Sequence, residues 1–246
     1  AICALEGGAR TLSVPSGLNA IATAILAVCG AGDQLLMVDS CYGPTRALCD
    51  KTLKKLGIAT IYYDPLIGAG IESLWQPNTK AVFCESPGSL SFEIQDIPAI
   101  AAVAHAHGGS VLMDNTWATP LYFPALARGV DLSIQAATKY VGGHADVMLG
   151  TITANESHAA RLTDIHGHLG LYASGDDCFL GLRGLRTLSV RLARHRETGL
   201  KLARWLAGRE EVARVLHPAL ESDPGHAIWK RDFSGACGLF GVVLKP

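Results

Sequence analysis

Short apolar runs without polar alternation, separated by stretches of helical character, dominate the first half of the chain. The runs are Gln34–Val38, Ile58–Tyr62, Ala81–Cys84 and Ser110–Met113. Thr45–Leu56 and Pro98–His107 read as helices between them, and an Ala-rich helix over Leu18–Cys29 precedes them. A strand that is apolar on both faces must be covered on both faces. A mostly parallel sheet with helices packed above and below meets that demand. The pattern therefore predicts an α/β fold. Gly57 and Gly108-Gly109 supply helix stops, and Val147–Thr153 is a later strand candidate.

Beyond about residue 180 the texture changes. Leu185, Leu188, Leu192, Leu202 and Leu206 share one helical stripe, with Arg186, Arg191, Arg194 and Arg196 largely off it as a solvated face. The expected division is a large domain over residues 1–185, with residues 186–246 forming a linking helix and the first part of a smaller C-terminal α/β domain. Val212–Leu216 and Leu239–Leu244 are its strand candidates. The chain opens without Met, in what reads as the end of a helix, and stops just after a strand-like run. Both ends are expected to be cuts.

Lys and Arg number 21 against 22 Asp and Glu, so no excess of positive charge favours nucleic acid or an anionic membrane. Mean hydropathy is +0.25, yet the most apolar stretch, Leu18–Cys29, falls short of the ~20 residues a spanning helix needs. The seven cysteines form no Cys-x-x-Cys pair and read as reduced, mostly buried thiols. Ala1–Leu5 lacks the character of a signal peptide, and a cytoplasmic location is expected.

Three segments carry chemistry. In Gln135–Asp146 (QAATKYVGGHAD), Lys139 stands between a small apolar run and a Gly-Gly turn, where side chains are usually buried. A desolvated lysine is an amine nucleophile toward carbonyls, and a salt-bridged structural lysine is the alternative. Asp114, in Asp114-Asn115-Thr116-Trp117, stands at the carboxyl end of a buried strand, where open α/β sheets bind ligands. There it suits a protonated ring nitrogen, with helix capping as the plainer reading. Val14–Ala20 opens a helix through Pro15-Ser16-Gly17, so free amides and the helix dipole suit a phosphate, although ordinary capping looks the same. Tyr42 follows the strand Gln34–Val38 and is placed either to stack on a ring or to pack a turn.

An amine, a carboxylate for a ring nitrogen and a phosphate cradle on one sheet together specify pyridoxal 5′-phosphate (PLP). The same segments resemble the Cys/Met-metabolism, or transsulfuration, group of PLP-dependent enzymes of fold type I. Gln135–Asp146 is similar to that family's lysine motif, Asp114–Trp117 to its pyridinium-binding segment, and Leu182–Leu188 to a stretch shared across the group. Glu85-Ser86-Pro87-Gly88-Ser89 and Trp229–Gly235 resemble the bacterial cystathionine β-lyase branch. The γ-lyases and γ-synthases usually carry Thr-Asn after Glu-Ser-Pro.

The resemblance implies that Lys139 is the Schiff-base lysine, Asp114 the pyridinium partner and Tyr42 the stacking tyrosine near the substrate amine. Gly17 and Leu18 amides and the Thr138 hydroxyl would hold the phosphate. Ala136 stands where many relatives have a serine. The implied activity is β-elimination of L-cystathionine or other cysteine S-conjugates, in a homo-oligomer built as a dimer of dimers. Family members extend past both ends of this chain, into segments that hold further phosphate ligands and the arginine for the substrate α-carboxylate. A γ-lyase or γ-synthase, or a non-catalytic PLP-binding domain, stays open as an alternative. No metal site is expected. His105-x-His107 and His166-x-His168 read as surface histidines, Ser16 and Ser86 lack a hydrolase context, and Asp176-Asp177 and Glu210-Glu211 read as solvated.

Overall fold

The computed structural model describes residues 1–246. Its main sheet has seven strands: β1 (Arg10–Val14), β2 (Gln34–Val38), β3 (Ala59–Tyr63), β4 (Thr79–Glu85), β5 (Ser110–Asp114), β6 (Leu132–Gln135) and β7 (Gly150–Ala154). They lie in the order β1-β7-β6-β5-β4-β2-β3. The pairings from β3 through β6 are parallel, while β7 runs antiparallel to both β6 and β1. A second sheet pairs β8 (Val212–Leu216) antiparallel with β9 (Gly241–Leu244). No helix is long and apolar enough to cross a membrane.

The central strands are buried along their length, as their unalternating sequences require; β2 is buried at every position. Around the sheet lie α1 (Ile2–Glu6), α2 (Gly17–Val28), α3 (Gly43–Ala47), α4 (Ile97–Ala106), α5 (Thr119–Tyr122), α6 (Glu156–Leu169) and α7 (Gly175–Leu185). α8 (Leu188–Ala207) and α9 (His226–Asp232) follow. One apolar core joins the sheet to Leu188 and Leu192 of α8 and to Phe233, Ala236 and Cys237. The C-terminal part is thereby seated on the large sheet.

Several expectations need correction. β1 and β6 carry no strand signal of their own, because Arg-Thr-Leu-Ser-Val and Leu-Ser-Ile-Gln mix polar and apolar residues; both pair with β7, which leaves β6 buried and β1 mostly half-exposed. The strand placed over Val147–Thr153 begins later, at Gly150, since Val147 and Leu149 pack in a separate small cluster with Ala137 and Val141. The helix expected over Thr45–Leu56 starts at Gly43, with Pro44 in its first turn, and runs on through a π-turn over Leu48–Leu53. The long C-terminal helix begins at Leu188, while Leu185 ends the preceding α7; the two part at Arg186-Thr187, where the Thr187 amide bonds the Gly184 carbonyl. Its apolar stripe also shifts. Leu202 is exposed while Gly199 and Ala203 are buried, because Gly199 lies against Gly238 with barely room for a side chain.

The functional consequence is directional. β1, β2, β4, β5 and β6 point the same way, so the residues that follow each of them emerge at one edge of the sheet. All four non-glycine residues with positive φ fall in segments leaving that edge: Leu90 and Phe92 after β4, Thr119 after β5 and Ala145 after β6. Each such residue costs of order 1–3 kcal/mol, and such strain concentrates at functional sites.

Candidate active site

The strand ends enclose a cavity of about 530 Å³, within the range of small-molecule sites. Its walls include Gly17, Leu18, Tyr42, Asp114, Thr138 and Lys139. All six site residues singled out in the sequence thus reach one cavity. A larger cleft, about 780 Å³, lies beside Arg204, Glu221 and Lys230 and takes in none of them.

Asp114 ends β5. Its Oδ1 accepts the Thr116 amide at 2.9 Å, so it closes a local turn rather than capping a helix. The Thr116 hydroxyl accepts the Ala136 amide at 2.8 Å, which ties the Asp114 segment to the one carrying Lys139. Burial pushes the Asp114 carboxyl up, against the pull of Thr116 and the Lys139 charge. A cation in the cavity beside Asp114 would favour its charged form.

Lys139 lies in a turn just past β6, held by bonds from its own amide to Ala136 and from the Gly143 amide back to Lys139. Contrary to expectation its side chain is exposed, because the turn stands at the mouth of an open cavity rather than inside the sheet. The Lys139 Nζ is 5.6 Å from the centre of the Tyr42 ring. Tyr42 is itself exposed, at the start of α3, and its amide donates to Glu85 Oε2 at 2.8 Å.

At the head of α2, the Ser16 hydroxyl accepts the Asn19 amide at 3.1 Å. The Gly17 and Leu18 amides precede any acceptor within the helix and stay available to a ligand. A Cβ on Gly17 would lie 2.7 Å from that of Ala136, so glycine alone fits this approach of two loops. Thr138 differs from expectation. Its hydroxyl accepts the Leu149 amide at 2.9 Å and donates to the Leu149 carbonyl at 3.2 Å, which leaves no proton for a phosphate unless that bond opens.

Sequence reasoning missed other parts of the site. Glu85 closes β4 in register with Asp114 and lines the same cavity. In the sequence it stands out only as part of a family motif, although its place at a buried strand's carboxyl end is the signal that singles out Asp114. Arg191, assigned to a solvated face, donates to the Gly184 carbonyl at 2.8 Å, and its guanidinium occupies the space beside Gly143. It braces the Lys139 turn from α8. His166 is buried on the Ser13 carbonyl at 3.1 Å instead of lying on the surface. His105 and His107 face Asp131 and Glu72 separately. The Trp229–Gly235 segment is structural: Arg231 bonds Asp96 and buried Asp232, and the Ser234 amide bonds the Tyr122 carbonyl.

A family model described as Cys/Met metabolism PLP-dependent enzyme matches residues 1–246. The chain belongs to that family. It is 58% identical over 244 residues to a putative cystathionine beta-lyase of Rhizobium johnstonii, covering 99% of this chain and 62% of the relative. A putative cystathionine beta-lyase of Saccharomyces cerevisiae is 51% identical over 241 residues, 98% of this chain and 71% of its own. Cystathionine beta-lyase MetC of Escherichia coli is 48% identical over 247 residues, 100% of this chain and 62% of its own. The chain therefore spans less than two thirds of two of these relatives. The residues present fit the family's cofactor, with an amine, an enclosed carboxylate suited to a cationic ring nitrogen and paired amides at a helix start all facing one volume.

Proposed function

We propose that this chain carries the cofactor site of a PLP-dependent carbon–sulfur lyase that acts by β-elimination on L-cystathionine or another cysteine S-conjugate. The observation that carries the reading is the convergence of Lys139, Asp114, Tyr42 and the Gly17–Leu18 amides on one cavity. Bound PLP supplies an electron sink for a carbanion at the substrate Cα. The Gly17 and Leu18 amides bind the phosphate. Asp114 holds the ring nitrogen in its cationic form, and the Thr116 amide keeps Asp114 charged and aimed. The exposed Lys139 amine is free to move over the cavity, take the proton from the substrate Cα and return it to the product side. Tyr42 limits where the ring and the substrate amine can stand.

The overall change takes one water and one cystathionine to homocysteine, pyruvate and ammonia. The breaking bond is Cβ–S, and the sulfur leaves as the thiol. The similarity of the whole chain to named cystathionine beta-lyases supports this substrate over a γ-elimination. A dimer of dimers, a cytoplasmic location and a division into residues 1–185 and 186–246 belong to the same reading. Mass spectrometry of the products from cystathionine tests it. Pyruvate with homocysteine is expected; 2-oxobutyrate with cysteine would move the assignment to a γ-lyase. Turnover of neither kind with PLP bound would favour a non-catalytic domain.

A further inference from the structure

Glu85 is a half-buried polar group for which the reaction above has no use. It is the last residue of β4, paired in register with Asp114 at the end of β5, so the two carboxyls project from neighbouring strands toward one cavity. Its main chain is rigidly held. The Glu85 amide donates to Gln95 Oε1 at 3.0 Å, and Gln95 Nε2 donates to the buried Tyr63 hydroxyl at 2.9 Å. Its side chain crosses to a different segment, where Oε2 accepts the Tyr42 amide at 2.8 Å. Tyr42 starts α3 with no side-chain cap, so Glu85 is the group that ties the start of that helix to the central sheet.

We propose that Glu85 is a positioning residue of this site: through the Tyr42 amide it sets where the Tyr42 ring stands relative to the Lys139 amine, and it keeps a proton beside Asp114. The inference rests on the PLP site described above.

Two adjacent, half-buried carboxyls cannot both carry charge cheaply. The groups facing Glu85 are Asp114 from β5, Lys139 beyond β6, and Tyr42 and Cys41 beyond β2. Asp114 accepts the Thr116 amide at 2.9 Å and has the Thr116 side chain beside it to favour a negative charge, whereas Glu85 has only the Tyr42 amide. Asp114 is thus the better place for the anion, and Glu85 takes the proton. Burial and the Asp114 charge push the Glu85 carboxyl up to about 8, against the opposing pull of Lys139. Burial pushes the Cys41 thiol up to about 12, which leaves it neutral across this range. The pair therefore favours a single negative charge, with Asp114 as its better site. As pH rises through about 8, a second charge appears on Glu85 and acts on both Lys139 and the ring nitrogen.

The test compares Glu85→Gln and Glu85→Ala with the wild type, all loaded with PLP. Visible absorption is recorded from pH 6 to 10, and kcat and KM are measured over the same range. Glutamine can still accept the Tyr42 amide but cannot ionise. Glu85→Gln is expected to stay within about threefold of wild-type kcat at pH 7, while the transition near pH 8 leaves both the spectrum and the kcat/KM profile. Glu85→Ala is expected to lose about tenfold or more in kcat at pH 7 with KM nearly unchanged, so that glutamine rescues what alanine loses. A purely structural role would lower thermal stability in both variants and leave the pH-dependent spectrum as in the wild type; that result overturns the proposal. If Glu85→Ala does not fold, the profile of Glu85→Gln decides alone. Borohydride reduction separates the two levels of inference. Wild-type cofactor fixed on Lys139, with an unchanged Glu85→Gln profile, overturns only the role of Glu85. Failure to fix cofactor on Lys139 overturns the site as well.

Discussion

The two ends of strands β5 and β6 carry polar clusters in opposite condition. At the amino end, Asp131 Oδ2 accepts the Val111 amide at 2.8 Å and meets His105 Nε2 at 3.0 Å. Its Oδ1 accepts Asn155 Nδ2 at 2.7 Å, while His158 Nε2 meets the Ser110 hydroxyl at 2.8 Å. Serine, histidine and aspartate together suggest a hydrolase, but the geometry does not make one. His158 Nδ1 is 2.9 Å from Asn155 Oδ1 and 3.8 Å from Asp131, and Ser110 is buried. Every strong donor and acceptor in the cluster is answered from within the chain. At the carboxyl end, Asp114, Glu85 and Lys139 share one cavity and have fewer partners than charges. The first cluster stabilises the fold. The second is left incomplete where a ligand can complete it.

Breaking the incomplete end should destroy activity and spare the fold. Lys139→Ala is expected to lower elimination by about 10³-fold or more and to abolish the borohydride-fixed cofactor, since proton transfer alone contributes ~10²–10⁴-fold. An exposed side chain in a turn should cost within about 0.5 kcal/mol of stability, read from a urea melt. Labelled cofactor appearing on Lys54 or Lys201 instead would show that the turn after β6 is not the attachment site.

Breaking the complete end should do the reverse. Asp131→Ala strands the Val111 amide and Asn155 Nδ2, and a loss of about 1–3 kcal/mol in unfolding free energy for each is expected. Those folded molecules that remain should bind PLP as the wild type does. A cofactor affinity that falls in step with stability would mean that the two ends are coupled.

Asp114→Asn sharpens the comparison because it keeps shape while removing charge. The protonation preference it supports is ~1.4–4 kcal/mol, so the elimination rate should fall by one to three orders of magnitude with little change in the melt. Near-normal turnover with PLP bound would rule out the ring-nitrogen role.

The smallest effect lies at the middle of β6, where α1 brings Glu6 under the sheet. Its Oε1 accepts the Ser133 hydroxyl at 2.9 Å, and burial pushes its carboxyl up to about 7. The folded chain therefore keeps a proton that the unfolded chain releases near pH 4.5. Its contribution to stability is full below that pH and falls as pH rises toward about 7, by about 3 kcal/mol at most. Glu6→Gln should flatten that slope and be the more stable protein at pH 8, as urea melts at pH 5 and pH 8 can show.

What could be read from the sequence was whatever depends on local pattern. β2, β4 and β5 announced themselves as unbroken apolar runs, because a strand buried on both faces has no polar position to offer. Asp114 and Lys139 stood out because a charge next to such a run is costly unless something nearby answers it. Val212–Leu216 was read at its observed bounds for the same reason of pattern. The remainder depends on distant partners. β1 and β6 became strands by pairing with β7, which their own residues do not reveal. Lys139 is exposed and not buried, since burial is decided by what stands opposite a turn rather than by the residues flanking it. Arg191 left its solvated face because the Gly142-Gly143 turn, about 50 residues earlier, left space that a guanidinium fills. Glu85 acquired its place only when β4 and β5 lay in register and Tyr42, 43 residues earlier, came within reach of its carboxyl. Hydrogen bonds act over about 3 Å, and only the folded sheet sets which groups lie within that distance.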